Sequence, residues 1–259
     1  MYSGRSTSPP YRSSVFVFYV LSGRRRKVEP IGTAFSVECA SRRVLLTAGH
    51  CCYGAGRRKL KSNLFCTSSM EKDSLGNFSV TGESFPVIIV YASLSPDIGI
   101  LARQDGKQCE NPISMCERSE VPWVADPKNW ECRVKCFHCP VDVFRQTDMP
   151  LIGTNITDYH MIAFQTGNHF AISEIFLGGS SGGAFVMEKG HRLLGVLITT
   201  QVTRTDFDGV EYEAADSSSS GSMSVSNPSI PYTTAVVPTM LEIGKDRVPL
   251  LEFLERQGY

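Results

Sequence analysis

The chain has 259 residues, with 26 Lys and Arg against 26 Asp and Glu, so its formal net charge at neutral pH is zero. That balance excludes a global field drawing the whole chain to nucleic acid or to an acidic membrane. A hydrophobic fraction of 42% and a charged fraction of 20% exclude a disordered or fibrous class and leave a core-forming globular one. The longest apolar runs, at 15–21 and 86–94, fall short of the ~20 residues a spanning helix needs. The N-terminal stretch MYSGRSTSPPYRSS is polar, so no export signal is expected. The nine cysteines are an odd number, and Cys51 and Cys52 are adjacent. Without an export signal they point to free thiols and a cytoplasmic or other intracellular location.

In chain order, residues 1–14 read as a flexible N-terminus and 15–102 as a first β unit. Its segments SSVFVFYVL, EPIGTAFSVE, RRVLLTA, FPVIIVYA and IGILA are short, rich in β-branched and aromatic residues, and bounded by turn formers. RRRK at 24–27 lies between two of them and is expected to be a solvated hairpin loop rather than a nucleic-acid patch. The stretch 103–130 is polar, contains proline and both tryptophans, and shows little periodicity, as a linker would. A second β unit, 131–259, holds HMIAFQ, HFAISEIFL, GAFVM and RLLGVLITT, a Ser-rich loop at 214–229, and the clearest helix, VPLLEFLERQGY. Many short strands with few helices predict a β-sandwich or barrel.

The segment FLGGSSGGAF, 176–185, holds four glycines. Glycine loses the most backbone freedom on folding, so such density suggests either a loose turn or a backbone that must approach something closely. His50 closes RRVLLTAGH, just past an apolar strand. A lone histidine there would be structural more often than catalytic. Asp97, however, heads the apolar DIGIL, where a carboxylate is costly unless something pairs with it. An imidazole suits it, because the carboxylate fixes the ring tautomer and stabilises the charged form. A serine flanked by glycines lets a substrate carbonyl reach the hydroxyl and lets backbone N–H groups face an oxyanion.

TAGHC, DIGIL and GSSGG occur in the order His, Asp, Ser. They resemble the three signature blocks of the chymotrypsin-like serine proteases, whose usual forms are T-A-A-H-C, D-I-A-L and G-D-S-G-G. The resemblance runs from about Gly32 to the C-terminal helix. It implies an all-β fold of two six-stranded antiparallel β-barrels with a C-terminal helix and the site in the crevice between barrels. His50 and Asp97 would come from the first barrel and Ser181 from the second. It further implies Ser181 as nucleophile, His50 as general base and acid, Asp97 as its orienting partner, and an oxyanion hole from the N–H groups of Gly179 and Ser181. The expected function is endopeptidase cleavage of a polypeptide substrate through an acyl-enzyme, with no cofactor, metal, nucleic acid or membrane partner.

Departures from the family pattern carry their own expectations. Secreted members have Asp before the nucleophile, paired with an amine released by cleavage; here that residue is Ser180, so no such zymogen switch is expected. The strand EPIGTAF lacks the cysteine that would bridge Cys51, and Cys39 lies at its far end. Ile175 stands where trypsin has its Asp, and Leu197 where viral relatives carry a pocket His. Thr199 and Thr200 fall at the pocket wall, which suggests a small or apolar preference.

Other readings compete. GGSSG also fits the G-x-S-x-G elbow of α/β-hydrolases with Ser180 as nucleophile. That fold needs Ser, acid, then His, and only Glu188 and His191 follow, without strand–helix alternation. Cys132, Cys136, His138 and Cys139 could be soft ligands for zinc, with Cys109 and Cys116 able to add to them. No second C-x-x-C pair exists, so a strand with buried free thiols is the preferred reading. His160 and His169 are expected at strand ends and His191 in a hairpin turn. A catalytically silent peptide-binding scaffold of the same fold, or an esterase using the same triad, are the alternative functions.

Overall fold

The computed structural model of the chain describes residues 12–39, 42–126, 132–140, 154–156, 161–163, 168–172, 176, 178–201, 232–244 and 246–258. The first strands are β1 (Val15–Ser22), β2 (Lys27–Cys39), β3 (Arg42–Thr47), β4 (Leu64–Thr67), β5 (Met70–Lys72) and β6 (Phe78–Val80). They continue as β7 (Ser84–Leu94), β8 (Asp97–Arg103) and β9 (Ile113–Ser114). The order β1-β4-β7-β8-β3-β2 is antiparallel throughout, and pairing of β1 with β2 closes it into a six-stranded barrel.

The strands of this barrel bury both faces. On β1, Val15, Val17 and Tyr19 join a core cluster shared with the second half of the chain. Phe16 and Phe18, pointing the other way, join a cluster of residues from the first half. Val44 and Leu46 against Leu45 repeat that division on β3. This is why the segments read as unbroken apolar runs rather than as alternating ones. The stretch 103–130 is not featureless: β9 lies parallel to β2, Met115 bridges to Leu193, and a short helix, α1 (Pro122–Ala125), follows. Ile113 and Val121, both fully buried, supply the reason.

The second half contributes β10 (Val134–His138), β11 (Thr154–Ile156), β12 (Met161–Ala163), β13 (His169–Ile172), β14 (Ala184–Met187), β15 (Leu193–Gln201) and β16 (Tyr232–Val236). They form an antiparallel sheet in the order β11-β10-β14-β15-β16-β13-β12. Its outermost strands are separated in the chain only by residues 157–160. That connection spans at most about 18 Å, so the sheet must curl until its edges face each other. Among the described residues this sheet has seven strands where six were expected, with β11 and β12 at its two edges. The architecture is the chymotrypsin-like double barrel. After a small hairpin of β17 (Glu242–Ile243) and β18 (Val248–Pro249), the helix α2 (Leu250–Arg256) closes the structure. Leu250 and Leu254, one turn apart and both buried, face the shared core. Phe253 meets Tyr91 of β7 edge-on at 5.4 Å between ring centroids, which ties the C-terminus back to the first barrel.

Candidate active site

β3 ends at Thr47, and the chain turns through the 3-10 segment Gly49–Cys52. Gly49 is needed there. A Cβ at this position would lie 1.9 Å from the Ser93 carbonyl oxygen and 2.9 Å from Asp97 Oδ1. The close approach brings the backbone N–H of His50 to Asp97 Oδ1 at 2.7 Å and the ring Nδ1 to Asp97 Oδ2 at 2.7 Å. One carboxylate thus fixes both the turn and the imidazole. Burial pulls the His50 pKa down, while the adjacent Cys51 sulfur and the Asp97 carboxylate push it up by more, so it ends above the usual imidazole range.

The turn carrying Gly179, Ser180, Ser181, Gly182 and Gly183 lies between β13 and β14 and presses against the first barrel. Gly179 and Gly182 both have φ of 86°, a region that favours glycine. A Cβ on Gly182 would sit 2.0 Å from the Thr33 carbonyl oxygen and 2.5 Å from Thr47 Oγ1. Thr33 of β2 organises the contact. Its N–H donates to the Ser181 carbonyl at 2.7 Å, and its hydroxyl donates to the Gly179 carbonyl at 3.0 Å. The same hydroxyl accepts the Cys139 N–H at 2.9 Å, and Thr47 Oγ1 donates to the Thr33 carbonyl at 2.7 Å. From the other side the Gly182 N–H donates to the Leu197 carbonyl at 2.7 Å, and the Leu197 N–H to the Gly183 carbonyl at 2.8 Å. Among the described residues neither the Gly179 nor the Ser181 N–H has a protein acceptor.

Ser181 is partly exposed, and its carbonyl lies 2.8 Å from an ideal Cβ on Gly32, which would also meet the Cys51 sulfur at 2.7 Å. The serine therefore lies beside the turn that carries His50. The ring of His50 bonds Asp97, and no hydrogen bond joins it to the Ser181 hydroxyl.

Ser180 has a different environment. It is 1% exposed, and its hydroxyl lies 2.7 Å from Nδ1 of His138, which is 3% exposed. Burial lowers the His138 pKa to about 4. Its Nε2 is buried with no partner among the described residues, and the ring stands edge-on to Phe176 at 5.0 Å. Neither Thr33 nor this serine–histidine pair is singled out by the sequence. The one signal for the pair is Ser180 itself: a polar residue in a tight buried turn needs a buried partner.

The remaining candidates fall as follows. Ile175, His160 and the Ser-rich 214–229 lie outside the described residues, and Thr199 and Thr200 are described only as backbone of β15. The Leu197 side chain, 1% exposed, packs with Phe170 and Phe185 in the core of the second half rather than lining an open pocket. His169 begins β13 with Nδ1 2.7 Å from Asn168 Oδ1, and His191 sits in the β14–β15 turn at φ 52°. Among the described residues no three His, Cys, Asp or Glu side chains converge as metal ligands. Cys132 precedes β10, Cys136 is buried in the second-half core, and Cys139 is buried in the shared core. Cys51 is a free thiol that donates to the Ile31 carbonyl at 3.2 Å. Burial raises the pKa of Cys116 and of Cys132 to about 11 each. A surface cavity of about 680 Å³ near Cys132, Arg133 and Glu188 shares no residue with the site. No helix among the described residues is long and apolar enough to cross a membrane.

No protein-family model and no curated protein matches the chain. Among solved structures it is similar to a thermostable serine protease, AL20, from an extremophilic microorganism. The identity is 12% and the TM-score 0.49, over 88% of this chain and 93% of that one.

Proposed function

We propose that the chain is a serine endopeptidase with His50, Asp97 and Ser181 as its triad. The observation that carries this reading is the two-point grip of Asp97 on His50, through the ring and through the backbone of its turn. It leaves Nε2 without a partner among the described residues, on a turn that adjoins a glycine-flanked serine. In this mechanism Ser181 Oγ attacks the scissile carbonyl carbon while the neutral form of His50, populated as the pH rises toward its elevated pKa, takes its proton at Nε2. Asp97 stabilises the imidazolium that forms. The N–H groups of Gly179 and Ser181, which have no acceptor among the described residues, hold the oxyanion. Collapse breaks the peptide bond, the amine leaves with the proton from His50, and water then hydrolyses the acyl-enzyme by the reverse roles.

Ser180 is disfavoured as nucleophile. Its hydroxyl has a histidine partner, but both are buried, and no substrate carbonyl reaches them. Fluorophosphonate labelling tests the assignment. Labelling of the wild type that is lost in Ser181→Ala and His50→Ala and retained in Ser180→Ala supports it. A folded wild type that is not labelled would favour the silent scaffold. Turnover of esters without turnover of peptides would favour the esterase.

A further inference from the structure

Two runs of basic residues, far apart in the sequence, are carried by loops that leave the first barrel from neighbouring strands. Arg24, Arg25, Arg26 and Lys27 form the exposed tip of the β1–β2 hairpin. Arg57, Arg58 and Lys59 lie in the loop that leads into β4. The strand register makes these loops neighbours. Val20 pairs with Leu64, and the Leu21 N–H donates to the Asn63 carbonyl at 3.1 Å. The roots of the hairpin tip and of the loop therefore leave the barrel side by side, at one strand spacing of ~4.8 Å. None of the seven cations has an ion-pair partner among the described residues. Neither run holds a carboxylate; the nearest along the chain is Glu29, which accepts a hydrogen bond from the Ser22 hydroxyl, and the β5–β6 hairpin that pairs with β2 at Val28 adds Glu71 and Asp73 beside Lys72. In a chain of zero formal net charge this is a strong local excess of one sign.

The patch is tied to the catalytic turn. Tyr53 bridges to Leu60, the Lys61 N–H donates to the Cys52 carbonyl at 2.8 Å, and Lys61 Nζ donates to the Cys51 carbonyl at 3.0 Å. Positive φ at Arg26, Arg57 and Asn63 marks tight turns that fix the direction of both loops. Leu60, 46% exposed, offers an apolar foothold among the charges.

We propose that this surface is a docking site for an acidic segment of a polypeptide, which it holds beside His50. The inference builds on the protease reading by naming a substrate class for that site. A nucleic acid is the poorer fit: no exposed aromatic side chain lies on the two loops for bases to stack on, and the charge is confined to one end of one barrel.

The test measures binding apart from catalysis, on the full chain carrying Ser181→Ala. Fluorescence anisotropy follows a fluorescein-labelled oligoglutamate peptide with a central leucine, a basic peptide of the same length, and a single-stranded oligonucleotide. A variant with Arg24, Arg25, Arg26, Arg57, Arg58 and Lys59 all changed to Gln should bind the acidic peptide at least about tenfold more weakly. Raising the salt should weaken the wild-type complex in the same sense. Variants altered in one loop only should fall between, which separates a shared surface from two unrelated loops. On the Ser181 background the six-Gln variant should be labelled by fluorophosphonate at the wild-type rate, because none of these residues touches the triad. Equal acidic-peptide affinity in wild type and variant overturns the proposal, as does tighter binding of the oligonucleotide than of the peptide. Failure of labelling with acidic-peptide binding intact would remove the protease reading and leave the docking site standing.

Discussion

Acid should loosen the turn that carries Ser181 through a residue outside the proposed triad. His138 is buried behind that turn with a pKa of about 4, against an ordinary imidazole value of 6.5. Between those values the unfolded chain binds a proton at this residue and the folded chain does not. A group whose folded pKa is depressed gives stability that is present above the unfolded value and is lost as the pH falls through the folded one. The difference corresponds to about 3 kcal/mol at a single site. His50, with its folded pKa raised, contributes in the opposite direction and only above pH 6.5, so the two windows do not overlap. The assay is urea unfolding at closely spaced pH values, comparing wild type with His138→Gln, which keeps a polar group near Ser180. Between pH 6.5 and 4 the wild type should lose about 3 kcal/mol more than the variant. A difference below about 1 kcal/mol would refute the reasoning, since the titration of the carboxylates is common to both chains.

Three further outcomes follow from the site. Asp97→Asn should lower kcat by about four orders of magnitude, the size of this effect where the same constellation is established. The acid limb of its residual pH–rate profile should also move to lower pH, because the carboxylate that raises the His50 pKa is gone. Gly182→Ala should cost ~3 kcal/mol or more in thermal or urea unfolding, because the methyl meets the backbone carbonyl of Thr33 and the residue must hold a φ of 86°. Thr33→Val leaves the Gly179 carbonyl and the Cys139 N–H without their partner and should cost about 1–3 kcal/mol. Its fluorophosphonate labelling rate should fall as well. Thr67→Val, which removes hydroxyl bonds to the Ser69 and Glu83 carbonyls, should lose stability without that fall.

What the sequence reveals of this site is what chemistry confines to particular residue types. A carboxylate at the head of an apolar strand needs a partner, so Asp97 and His50 can be paired from the residue pattern alone. A turn pressed against another backbone needs glycine, so the glycine-rich block stands out. The supports of the site escape notice because ordinary residues provide them. Thr33 is one threonine in an apolar strand, and only the register of β2 puts its hydroxyl between Gly179 and Cys139. His138 stands among cysteines and invites a metal reading, yet its partner is a serine 42 positions away. The basic loops are hidden in the same way: RRRK alone is a solvated hairpin, and it becomes half of a surface only because Leu21 and Asn63 are neighbours across two strands. The second barrel is less legible than the first, since β11 and β12 are three residues each, too short for a period to show.

The supports also show how the turn dispenses with a charge. In the family that the motifs resemble, a buried aspartate before the nucleophile needs an ammonium partner, and the turn is ordered once that ion pair exists. Here the residue before Ser181 is Ser180, and it forms a neutral hydrogen bond with His138, whose ring is held uncharged by burial. A neutral pair avoids the desolvation cost of a buried ion pair. Cys139, the next residue, binds the Thr33 hydroxyl, so His138 and Cys139 anchor the turn together, one directly and one through the first barrel. The order of the turn should therefore come with the packing of the two barrels on each other, and an agent that separates them should silence Ser181 before it unfolds either one.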